Sequence, residues 1–130
     1  MLKKFTSTII FLFYLSSAAS AQFMARQHTV KDLKYGTTWL RCSVGQFWDP
    51  AANTCAGEIV KLNHDQIAYA ITEAKRQLGT DWRLPTHDEL KRLVCEECPP
   101  PKINPKYFPK LYPEAYWTSD RNALNRRTFW

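Results

Sequence analysis

Glycine is scarce in this chain, four residues in 130, and histidine scarcer still at three. The glycines do not gather into a loop that could cradle a phosphate. His28, His64 and His87 are scattered, so no histidine pair stands at metal-finger spacing. No Ser-His-Asp order, internal repeat or low-complexity tract is present. After residue 21 no stretch is apolar enough to supply the roughly 20 residues that cross a bilayer. These absences turn the reading away from nucleotide, metal and triad chemistry. What remains is a chain 45% hydrophobic and 14% aromatic, well beyond the composition of a disordered segment.

The N-terminus has the three parts of a secretory signal in order. Lys3 and Lys4 make a positive start, and an apolar run through Ile9, Ile10, Phe11, Leu12, Phe13, Tyr14 and Leu15 follows. Ala19-Ser20-Ala21 then offers small residues to signal peptidase. A membrane anchor is the rival, but the run is shorter than a span. Residues 1–21 are therefore expected to be a cleaved, bacterial-type signal peptide, leaving a single exported domain of about 109 residues from Gln22 with no transmembrane segment. The formal charge of +6 falls to about +4 once Lys3 and Lys4 are gone. That excess favours anionic partners: acidic glycans, phosphorylated lipid headgroups or, least with export, nucleic acid.

Along the exported part, residues 22–34 are polar without a clean period and are expected to form a mobile arm. Thr37 to Ser43 is rich in β-formers, Val44-Gly45 allows a turn, and Gln46-Phe47-Trp48 resumes an extended pattern. Asp49-Pro50 and Asn53 make a loop before Cys55, and Ile59 to Leu62 suggests a short strand. Asn63 and Gln66 form a capping box ahead of Ile67, Ile71, Ala74 and Leu78, an apolar helix face closed by Gly79. Thr86 and Glu89 repeat the device, with Leu90, Leu93 and Val94 as the buried face of a second helix. Pro99-Pro100-Pro101 forbids its continuation, and Pro105, Pro109 and Pro113 keep the next segment looped over the surface. Tyr116 to Ser119 reads as a strand and Thr128 to Trp130 as the start of another.

Four cysteines permit three pairings. Cys42 and Cys55 flank the expected hairpin, and Cys95-Glu96-Glu97-Cys98 closes a helix, so the pairs 42–55 and 95–98 are favoured as structural staples for a small exported domain. A redox role for the second pair is disfavoured, because such a pair usually opens a helix and two glutamates raise a thiolate's pKa. Half of a zinc site is the remaining option, without a matching second half. Asp88-Glu89 and Glu96-Glu97 are adjacent on the chain and do not share a helix face, so they make poor acid-base pairs. Arg121, Arg126 and Arg127 stand near Trp117, Phe129 and Trp130. Arginine beside aromatic rings holds sulfated or carboxylated sugars through forked hydrogen bonds and stacking, whereas a solvated loop is the plain alternative.

The order of several motifs resembles the Lcl C-terminal domain family, named for the end domain of a bacterial collagen-like adhesin. They are Trp39-Leu40-Arg41-Cys42-Ser43-Val44-Gly45-Gln46, Asp81-Trp82-Arg83-Leu84-Pro85-Thr86, Glu89-Leu90, Ile103-Asn104, Phe108-Pro109 and Tyr116-Trp117-Thr118-Ser119. Together they cover nearly all of residues 35–130. Trp-Arg-Leu-Pro-Thr alone is also similar to the formylglycine-generating enzymes on C-type-lectin-like folds. The resemblance implies an α+β, C-type-lectin-like domain over residues 35–130, with two helices packed on small antiparallel sheets. It implies a location in the periplasm, on the cell surface or outside the cell, and adhesion to glycans. Family members usually continue beyond the position of Trp130, so the domain is expected to lack its last strands, with a partner envelope protein able to supply the open edge. The catalytic cysteines of the formylglycine-generating enzymes have no counterpart here. The expected function is therefore a non-enzymatic binding domain without cofactor or metal, taking an acidic polysaccharide. The alternative is a truncated or degraded relative of that enzyme branch with no activity of its own. Within the motif of residues 81–86, Trp82 and Leu84 are expected to point inward on a short strand that Pro85 ends. Thr86 caps the next helix, and Arg83 faces outward to a carboxylate: a structural corner.

Overall fold

The computed structural model describes residues 21–79 and 81–121. The expected leader, Ala21 apart, lies outside them, as do Arg126, Arg127 and the strand anticipated at Thr128 to Trp130. Among the described residues no helix is long and apolar enough to cross a membrane. The fold is α+β, with two small antiparallel sheets and two helices.

Residues 22–34 are not an arm. They contain β1 (Phe23–Arg26) and β2 (Thr29–Asp32), which form a hairpin in the register Phe23↔Asp32 to Arg26↔Thr29. Strands this short show too few alternations to be recognised locally, and their inward residues find partners far along the chain. The link to β3 (Thr38–Leu40) is held by Asp32. Its buried carboxylate accepts the backbone N–H groups of Lys34 (2.9 Å) and Tyr35 (3.2 Å), a side-chain-closed turn that reverses the chain. β3 pairs with β2 from Thr29↔Leu40 to Lys31↔Thr38, completing a sheet in the order β1-β2-β3.

β4 (Phe47–Asp49) and β5 (Thr54–Ala56) form a second hairpin. Asp49 Oδ1 accepts the N–H groups of Ala51 and Ala52 and shapes its turn. The disulfide between Cys42 and the fully buried Cys55 fastens this hairpin to the chain leaving β3. Residues 59–62 pair with no strand, so the one expected there does not form. The helix that follows, α1 (His64–Leu78), has the reciprocal capping box of Asn63 and Gln66. It ends at Gly79, whose φ of 66° lets its N–H reach the Lys75 carbonyl. Ile67 is buried and Ile71 and Ala74 half-buried, while Leu78, expected on the same face, stands open at the helix end.

α2 (His87–Lys91) is only five residues long, capped by Thr86 and Glu89 as the sequence predicts. Tighter turns continue through Leu93, which is buried. Val94, expected inside, is 48% exposed because its backbone is bridged to Ile103 and its side chain turns out. The second disulfide, Cys95–Cys98, closes the turn between these two bridged positions. The proline-rich segment is also more than a surface loop. The Asn104 carbonyl accepts from Tyr107 and Phe108, wrapping the chain so that Phe108 is buried. The core is Val30, Leu93 and Phe108, with Phe23, Trp39, Leu90, Ile103, Tyr107 and Leu111 packed around them. It lies between the inner face of the first sheet and the stretch from α2 to residue 111. Tyr116 to Ser119 runs without strand pairing, although Thr118 is buried.

Candidate functional site

Burial separates the conspicuous side chains into those that build the domain and those that face solvent. Residues 81–86 belong to the first group. They form no strand, but half-burial alternates through Trp82 and Leu84. Asp81 pairs with Lys75 of α1 at 2.7 Å. Arg83 turns outward and forks onto Glu89, with Nη1 and Nη2 at 2.8 and 2.7 Å from its two carboxylate oxygens. Glu89 also accepts the Thr86 N–H at 2.8 Å. The Arg83 hydrogen bond first, then that from Thr86, lowers its pKa to about 2. The Pro85 carbonyl accepts from Ser119, and Asp120 accepts the His87 N–H. Leu84 closes a shallow groove of about 190 Å³ against His64, Ile67, Ala68 and Ile71 of α1. The motif thus joins α1 through Asp81 and Leu84, α2 through Arg83 and Thr86, and the segment after residue 116 through Pro85.

The anticipated sugar-binding group divides. Trp117 is half-buried, its indole N–H donates to the Leu62 carbonyl at 2.9 Å, and its ring stands edge-on to His64. It serves as a clamp between α1 and the late segment. Arg121 is exposed, and Arg126 and Arg127 lie outside the described residues. Cys42, Cys55, Cys95 and Cys98 are all in disulfides.

A different basic and aromatic group is assembled where the β2–β3 turn meets α2. Tyr35, 44% exposed, has Lys34 Nζ at 5.2 Å and Arg92 Cζ at 4.4 Å from its ring centroid. Asp32 fixes the backbone of the turn that carries Lys34 and Tyr35, and the short helix α2 presents Arg92 at its end. The ion pairs among the described residues take Lys61, Lys75, Arg76 and Arg83 to nearby carboxylates, and neither Lys34 nor Arg92 joins one. A guanidinium stacked on a ring keeps its N–H edges directed outward, where a sulfate or carboxylate can be gripped by two parallel bonds. Two cations sharing one ring repel each other, and an anion between them removes that cost. Lys34-Tyr35 and Arg92 are far apart on the chain, and no local pattern links them. The two signals visible in sequence, a lysine beside a tyrosine and the pair Lys91-Arg92, point nowhere until the sheet and α2 meet.

Arg41 is the other charged side chain that sequence reasoning left without a role. It is 4% exposed and lies in no ion pair among the described residues. Its Nε donates to the Tyr107 carbonyl (2.7 Å), Nη1 to Gln27 (2.9 Å) and Nη2 to Lys106 (2.9 Å), with the guanidinium 4.0 Å from the Trp48 ring centroid. Burial lowers its pKa, yet an arginine stays charged. Those three carbonyls take the place of a counter-ion.

The family model for the Lcl C-terminal domain matches residues 28–130. Neither the curated proteins nor the solved structures include a match.

Proposed function

The chain belongs to the Lcl C-terminal domain family, and we propose on that footing that it is an exported, non-enzymatic binding domain that adheres to acidic glycans. The observation that carries the reading is the exposed Tyr35 ring with Lys34 and Arg92 both drawn onto it and neither joined to a carboxylate. The formal charge of +6 adds a general attraction for polyanions. Export fits two disulfides in a small domain and the signal-like N-terminus. The exposed Arg121, with Arg126 and Arg127, is a second place where such a ligand can be held.

The test is retention of the purified, oxidised chain on immobilised heparin. At about 0.15 M salt, charges more than roughly 8 Å apart are screened, so retention there requires close contacts. The chain should be held at that salt and released as it rises, and K34Q/R92Q should elute clearly earlier. Passage of the wild-type chain straight through the column refutes the proposal. If R121A/R126A/R127A elutes early while K34Q/R92Q does not, the ligand sits at the late arginines instead.

A further inference from the structure

Asp32 is a buried carboxylate without a cation. It is 1% exposed, yet it joins none of the ion pairs among the described residues. Its Oδ1 accepts the N–H groups of Lys34 and Tyr35, and its Oδ2 accepts from Gln22 Nε2 at 3.2 Å. A carboxylate offers about four acceptor sites, so one remains on the oxygen that Gln22 touches. A charge this deeply buried ordinarily has an opposite charge beside it. The neighbouring lysines do not supply one. Lys31 alternates to the outer face of β2, and Lys34 Nζ lies over the Tyr35 ring, which Arg92 shares. Gln22 is tied to this corner twice, because its carbonyl also accepts the Leu33 N–H at 2.8 Å. It is the residue that follows the expected signal-peptidase cut, and Ala21 before it is exposed.

We infer that removal of the leader itself supplies the missing cation: the new α-ammonium of Gln22 pairs with Asp32. Hydrolysis adds water across the Ala21–Gln22 bond. The hydroxyl goes to the Ala21 carbonyl carbon and a hydrogen to the Gln22 nitrogen, and a further proton at pH 7 makes the ammonium. Before the cut that nitrogen is a neutral amide in a planar link, and afterwards it turns freely about its own residue. It stands on the residue that already touches both Asp32 and Leu33, so the pair asks for a rotation at Gln22 alone. Asp32 is also what holds the backbone of Lys34 and Tyr35. Processing is thereby coupled to the firmness of the turn that presents them. The inference rests on the export reading above, which supplies the cut, and not on what the Tyr35 cluster binds.

The chain is secreted from a bacterial host under its own leader, and its N-terminus is read by mass spectrometry. A second form carries Gly-Ser between Ala21 and Gln22. It keeps the net charge but moves the ammonium two residues, about 7 Å of extended chain, away from Asp32. D32N is made in both forms; asparagine keeps an oxygen for the Lys34 and Tyr35 N–H groups and loses the charge. The chain that starts at Gln22 should melt about 5 °C above the Gly-Ser form, as an ion pair in a domain of this size allows. That gap should vanish in D32N. Amide hydrogen exchange at Lys34 and Tyr35, which needs no variant of Asp32, should be several-fold slower in the chain that starts at Gln22. Cyclisation of Gln22, in which the α-nitrogen bonds Cδ and the carboxamide nitrogen leaves as ammonia, removes both donors. It should lower the melt at least as far as the Gly-Ser insertion does. Equal melts, equal exchange at those two amides, or a gap that persists in D32N overturn the ammonium–Asp32 pair while export stands. A secreted chain that begins at another residue, or arrives already cyclised, does the same. A chain that keeps its leader or stays in the cytoplasm overturns the pair together with the export reading beneath it.

Discussion

Replacing Arg41 by lysine keeps the charge and most of the stem but removes the fork, and this makes it the sharpest test of how the domain is held together. The guanidinium reaches three carbonyls on two separate pieces of chain, Gln27 in the β1–β2 turn and the consecutive pair Lys106 and Tyr107. One ammonium can serve one side of that gap. Two hydrogen bonds from a charged donor are then lost, at about 1.5 kcal/mol each toward the lower end of their range. Loss of the guanidinium from the Trp48 face adds about 0.5–1 kcal/mol. Water regains some of this, because Gln27 and Lys106 lie at the surface. The expected cost of R41K is therefore about 3 kcal/mol, a large part of the roughly 5–15 kcal/mol that stabilises a domain. R41A also forfeits the stem and the last bond, and should cost about 4–5 kcal/mol. Urea unfolding followed by tryptophan fluorescence measures both, and an unchanged m-value confirms that the folded and unfolded states are comparable. For a domain of this size the melting temperature of R41K should drop by about 10–20 °C. An R41K chain within about 1 kcal/mol of wild type would show that the three carbonyls do not depend on the fork, and would refute the reasoning.

Glu89 has its pKa lowered to about 2 in the fold, so its contribution is present above its unfolded value, near 4.5, and is lost as pH falls toward 2. Urea titrations should find E89Q less stable than wild type at pH 7 by about 2 kcal/mol, after allowance for screening at the exposed Arg83, and equal to it near pH 2; a pH-independent gap contradicts the assignment. Gly45 has a φ of 92°, and an added Cβ would meet the Glu58 carbonyl oxygen and stand 2.6 Å from Val60 Cγ2 and 2.9 Å from Val60 N. G45A should therefore cost more than about 2 kcal/mol in thermal or urea unfolding, and a loss below about 1 kcal/mol means that the irregular segment from Glu58 to Val60 yields freely. Removing the Cys42–Cys55 bridge, which spans 13 residues, should cost about 3 kcal/mol, and removing Cys95–Cys98, which spans 3, about 2 kcal/mol. Unfolding of C42A/C55A and C95A/C98A gives that order, and non-reducing peptide mapping that finds a 42–95 or 55–98 link disproves the pairing.

Both helix starts were legible in the sequence because a capping box is a contact across three residues: Asn63 with Gln66, and Thr86 with Glu89. The same locality made Cys95–Cys98 legible, and a hairpin loop made Cys42–Cys55 so. Family membership was legible in the order of the motifs, which survives without knowledge of any contact. The first hairpin was not. Val30 is buried by Leu93 and Phe108, residues more than 60 positions away, and four-residue strands alternate too briefly to announce themselves. Trp117 looked like a binding surface from its neighbours in sequence, yet its indole N–H is turned to Leu62, 55 residues earlier. Arg41 and the group of Lys34, Tyr35 and Arg92 were invisible for the same reason. A guanidinium spanning the Gln27 and Lys106 carbonyls, or two cations sharing one ring, exists only once separate segments are packed together. Short-range hydrogen bonding and covalent chemistry act within a few residues, so the sequence alone determined the caps and staples. Burial and electrostatic pairing act between segments, so only the tertiary structure decided which charges hold the domain together and which are left facing solvent.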